Sequence, residues 1–145
     1  MTFVKKGQRL RNSVLAAYFL IKIRVIYLRG QRQVAARTAA AIRRSPANQS
    51  DLDRRGVEVW HLARAVWRAK GILPFHSTCL QTALATQMLL ESRGVESVVR
   101  IGVRAIDADA HAWVEVGDFI LDDQRIASRF VALEAVGGRV TGGER

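Results

Sequence analysis

Residues able to perform acyl-transfer chemistry occur in order in the second half of the chain: a thiol at Cys79, an imidazole at His111 and neighbouring carboxylates at Asp122 and Asp123. A thiolate attacks a carbonyl carbon, an imidazole carries the proton between nucleophile and leaving group, and a carboxylate fixes the imidazole tautomer. Cys79 is the only cysteine among 145 residues, so an intramolecular disulfide is impossible and the reducing cytoplasm is the expected setting. A single cysteine is more often a small buried apolar residue than a nucleophile, and its local setting decides between the two.

That setting is a helix start. Thr78-Cys79-Leu80-Gln81 has the form of a capping box, which places Cys79 in the first helical turn. Unpaired N–H groups and the positive end of the helix dipole favour thiolate there, and the Cys79 N–H is a candidate oxyanion donor. The apolar spacing of Leu80, Leu84, Met88 and Leu89 carries the helix to Arg93, and Gly94 is placed to end it.

Downstream the period changes from helical to alternating. Ser97 to Arg104, Ala110 to Val116 and Phe119 to Asp122 read as antiparallel strands, the last two joined by a turn at Gly117-Asp118. Alternation puts His111, Trp113 and Glu115 on one face. A two-residue hairpin opposes Trp113 to Asp122 and Ala112 to Asp123, which sets Asp122 on the His111 face; a one-residue bulge would exchange the two acids. Trp113 beside His111 suits either a water shield or simple core packing, and Glu115 suits a structural role. A last helix is expected from about Gln124 to Val136, followed by a disordered Gly-rich tail over 137–145.

The combination CLQTALATQMLLESRGVESVVRIGVRA with HAWVEVGDFILDD resembles the transglutaminase-like cysteine peptidases that remove leader peptides in lasso-peptide biosynthesis. The resemblance covers roughly Phe75 to Leu133. It implies an α+β, papain-like or transglutaminase-like fold with the nucleophile helix packed on an antiparallel sheet, in agreement with the element order. It also implies a Cys, His, Asp triad of Cys79, His111 and Asp123, with Asp122 as the alternate acid, against the plain hairpin count. The substrate it implies is a precursor peptide, cut at the leader–core junction. The PqqD-like recognition domain of that family has no counterpart in the helical pattern of residues 1–75, so a separate PqqD-like protein is the expected deliverer of the precursor. An ATP-dependent macrolactam cyclase is the expected recipient of the product. Two other function classes fit parts of the sequence: an acyl or amide transferase on the same fold, and a non-catalytic basic binding module.

The elements that must position this chemistry lie upstream. Residues 1–74 are expected to form a basic helical region packed on a catalytic core of residues 75–136. Residues 1–75 contain 16 Lys/Arg against 3 Asp/Glu, whereas residues 76–145 contain 7 against 10. Charge of this kind invites nucleic-acid binding, but neither zinc-finger spacing nor an RNA-binding aromatic motif accompanies it. Val14 to Leu28 is apolar but short, and Lys22 and Arg24 interrupt it, so it reads as an amphipathic helix buried on the domain, with contact to a partner or a membrane surface as the alternatives. Gln31 to Arg44 is rich in Ala and Arg and predicts further helix up to Ser45-Pro46. Asp51 or Asp53 then caps a helix to Lys70, with Val59, Leu62, Ala63, Val66 and Trp67 on its inner face and Gly71 as terminator. His61 is expected at the surface and His76 in the loop before Cys79. One cysteine and three scattered histidines lack metal-ligand spacing, and no cofactor motif is present.

Overall fold

The computed structural model describes residues 2–29, 49–122 and 128–133. The expected helix over Gln31–Arg44, the carboxylate of Asp123 and the tail over 137–145 lie outside the described residues. Three helices, α1 (Thr2–Arg29), α2 (Gln49–Ile72) and α3 (Cys79–Glu91), precede four strands, β1 (Val98–Arg104), β2 (Asp109–Val116), β3 (Phe119–Ile120) and β4 (Val131–Ala132). The strands form one antiparallel sheet in the order β3-β2-β1-β4. This is the expected α+β architecture, with the cysteine-bearing helix packed on the sheet.

Helix α3 is central because it is apolar or small on nearly every face. Gln81 through Leu90 are buried except for Met88, and α3 touches both other helices and the sheet. A helix enclosed on all sides needs its polar side chains paired internally. The hydroxyls of Thr82 and Thr86 accordingly donate to the carbonyls four residues back, at 2.9 and 2.8 Å, and Gln87 Nε2 donates to the Ser97 carbonyl at 3.1 Å. Its C-terminus is closed by Gly94 at φ +67° and by Arg55 of α2, whose guanidinium donates to the carbonyls of Arg93 at 2.6 Å and Gly94 at 3.3 Å. Asn12 of α1 accepts from Arg93 at 2.5 Å, so all three helices meet at this end.

One continuous apolar core joins Ala16, Leu20 and Ile23 of α1, Leu62 and Val66 of α2, Leu84 and Leu89 of α3, and Val99, Ala112 and Val114 of the sheet. Helix α2 begins at Gln49, ahead of Asp51 and Asp53, so neither aspartate is its cap, and it continues through Gly71 to Ile72. Trp67 is not on the inner face: it is 37% exposed, while Ala69 takes the buried position. The chain over Val131–Ala132 is strand, not the expected last helix. Val131 and Ala132 pair with Val103 and Gly102, and the Leu133 N–H bonds the Ile101 carbonyl at 2.7 Å. The free edge of β1 supplies backbone partners that outweigh the helix propensity of nearby Ala, Leu and Glu residues.

Candidate active site

Cys79 is the first residue of α3, half-buried, and its position is fixed by the capping box. Thr78 Oγ1 accepts from the Gln81 N–H at 3.2 Å, and Gln81 Oε1 accepts from the Thr78 N–H at 3.1 Å. The first backbone bond of the helix runs from the Thr82 N–H to the Thr78 carbonyl at 2.9 Å. These bonds leave the N–H groups of Cys79 and Leu80 outside the cap, at the end where a helix stabilises negative charge.

His111 lies on β2 directly opposite Gly102 of β1. The β2–β3 hairpin has the two-residue turn counted from the sequence, Val116 facing Phe119 and Glu115 facing Ile120, and the Leu121 N–H continues the pairing to the Val114 carbonyl at 2.8 Å. The register therefore brings Asp122 to His111, whose Nε2 is hydrogen-bonded to Asp122 Oδ2. With the carboxylate accepting from Nε2–H, the lone pair of the neutral ring resides on Nδ1, the tautomer that leaves Nδ1 to exchange a proton.

Two aromatic rings hold the imidazole in place. Trp113 stacks beside it with centroids 6.1 Å apart, and Phe130, delivered by the segment leading into β4, lies at 5.4 Å. Trp113 is itself anchored: its indole donates to Glu115 Oε1 at 2.9 Å, and Arg100 Nε holds Glu115 Oε2 at 2.9 Å. A buried indole N–H needs such a partner, and Glu115 supplies it.

Cys79, His111 and Asp122 line one open cleft, together with Trp113. The α2 residues Trp67 and Lys70 form another wall. The sequence motifs did not point to either, because helical spacing assigned Trp67 to the core and Lys70 to the helix end. His76 is exposed in the loop ahead of Cys79, and exposed His61 borders a separate hollow with Gln8, Asn12 and Glu58.

A cysteine at a capped helix start and a histidine–carboxylate pair on an antiparallel sheet thus border the same cleft. The model of the Transglutaminase-like superfamily matches residues 15–135, and the chain belongs to that superfamily. Among individual proteins, the Microcin J25-processing protein McjB of Escherichia coli is 39% identical over 49 residues. Those residues are 34% of this chain and 24% of McjB, so the chain matches about a quarter of that relative's length. No solved structure matches the chain.

Proposed function

We propose that this chain is a cysteine peptidase that removes the leader from a lasso-peptide precursor. The observation that carries this reading is the shared cleft: Cys79 at a capped helix start and His111, already bonded to Asp122, open onto the same space. The superfamily membership and the similarity to a microcin-processing protein support it.

In this mechanism His111 Nδ1 takes the Cys79 proton and the sulfur attacks the carbonyl carbon at the leader–core junction. The oxyanion is met by the free N–H groups at the start of α3. His111 then gives its proton to the departing core amine, leaving the leader as a thioester on Cys79. Water, deprotonated by His111, attacks that thioester and releases the leader carboxylate and the thiol. Asp122 accepts from Nε2–H throughout and stabilises the imidazolium when it forms. Asp123, which the family resemblance favours as the acid, is the alternative partner. A separate PqqD-like protein would deliver the precursor, and an ATP-dependent cyclase would use the freed core amine.

The test is mass spectrometry of a precursor peptide incubated with this chain and its recognition protein. Two fragments whose masses sum to precursor plus water are expected, and none with Cys79→Ala. An adduct carrying an added amine would instead assign a transferase. Cleavage that survives Cys79→Ala would eliminate both.

A further inference from the structure

Helix α1 is apolar on two opposite faces. Ala16, Phe19, Leu20 and Ile23 are buried in the core. A second row, Leu10, Val14, Tyr18, Ile21, Val25 and Leu28, is exposed, from 38% at Val25 to 73% at Leu28. At about 100° per residue the centre of this row falls roughly 170° around the helix from the buried one, and at ~1.5 Å rise it is about 27 Å long. A contiguous exposed apolar ridge of this length marks an interaction surface.

The charge beside the ridge identifies what it meets. Lys6 and Arg24 border one flank, Arg11 and Lys22 the other, and the helix contains seven Lys/Arg and no Asp or Glu. Two copies packed through this face would set Lys6, Arg11, Lys22 and Arg24 of one against the same four of the other, with no acid on the helix to offset them, which disfavours self-association. The partner is therefore anionic. A convex single-helix ridge inserts all its apolar side chains at once into a flat surface, while Lys and Arg stems reach sideways to the charged layer. We propose that α1 lies on the surface of an anionic phospholipid membrane, with the outer row in the headgroup–acyl boundary. The attachment is peripheral, because among the described residues no helix is long and apolar enough to cross a membrane. The guanidinium of Arg24 sits 5.8 Å over the Phe75 ring, so the docked helix abuts the loop that leads into Cys79.

Co-sedimentation of the full chain with vesicles tests this independently of any catalytic assay. Vesicles of phosphatidylcholine mixed with phosphatidylglycerol are expected to bind at least about tenfold more tightly than phosphatidylcholine alone, with the difference shrinking at high salt. Tyr18→Asp combined with Val25→Asp, both at exposed positions, is expected to abolish sedimentation with the circular dichroism spectrum unchanged. Should that variant misfold, Arg11→Glu with Lys22→Glu serves instead and is expected to remove the preference for anionic lipid. Failure to bind anionic vesicles, equal binding to both compositions, or binding unaffected by either folded variant would overturn the proposal. So would a sedimenting dimer of the wild type that Tyr18→Asp dissociates, which would give the face to a second copy of the chain.

Discussion

Gly102 of β1 and Trp113 of β2 fit together only because Gly102 has no side chain: a Cβ there would stand 2.7 Å from two atoms of the Trp113 ring and 2.8 Å from Phe130 Cβ. Both rings flank His111, and Gly102 is also the residue paired with His111 across the sheet. The glycine thus makes the space in which the imidazole is clamped. Gly102→Ala is expected to cost about 1–3 kcal/mol in urea unfolding, as overpacking does, and to lower the cleavage rate by more than the folded fraction falls. Unchanged stability and unchanged rate would show that the rings do not position His111.

Glu115 links Arg100 to the Trp113 indole, and two substitutions separate its parts. Glu115→Gln keeps an acceptor for the indole and loses only an ion pair whose side chains are 34% and 24% exposed, so a change of about 1 kcal/mol is expected. Glu115→Ala strands a buried N–H and is expected to cost about 1–3 kcal/mol. Equal effects of the two in urea titrations would contradict this division.

Asp122 and Asp123 are distinguishable by kinetics. Asp122→Asn removes the carboxylate that accepts from His111 Nε2, and a fall in kcat of about a hundredfold or more is expected, in line with general-base contributions. Asp123→Asn is expected to stay within a few-fold of wild type. The opposite ranking would make Asp123 the orienting acid.

The turn between β1 and β2 holds Ala108 at φ +54°, where a Cβ is unfavourable. Ala108→Gly is expected to stabilise the fold by up to ~1 kcal/mol by relieving that conformation, less the entropy glycine adds to the unfolded chain. The same turn carries Asp107, whose carboxyl lies below its usual range because Arg104 hydrogen-bonds it and adds its positive charge. A depressed carboxylate contributes stability above its unfolded pKa and loses it as pH falls through the folded value. The pair is solvent-exposed, so an NMR titration of Asp107 is expected to show a lowered midpoint that moves back toward normal in high salt.

What the sequence revealed and what it concealed follow from the range of the interactions. The capping box at Thr78 to Gln81 and the turn at Gly117-Asp118 rest on contacts a few residues apart, and both were readable directly. Strand β4 was not, because its reason for existing is the edge of β1 thirty residues earlier, while its own residues favour helix locally. Phe130 was missed as a wall of the His111 environment for the same cause. In α1 apolar residues fill two opposite faces, so spacing alone gave burial but not which row is buried; the positions of α2 and α3 decide that. Trp67 shows the converse, a residue at core spacing that stands 37% exposed as a wall of the cleft while Ala69 is buried. Between the two carboxylates, counting residues through a plain hairpin set Asp122 on the His111 face, and that count describes the register in the structure, whereas the family resemblance put first Asp123, which lies outside the described residues.

The most direct measurement of the central claim uses the fact that Cys79 is the only thiol in the chain. The rate of its alkylation by iodoacetamide should be followed across pH in the wild type and in His111→Ala. If the imidazole activates the sulfur, wild-type Cys79 reacts at mildly acidic pH at least about tenfold faster than the thiol of His111→Ala. Superimposable profiles for the two proteins would mean that His111 and Cys79 do not work together, and the proposed peptidase mechanism would fail.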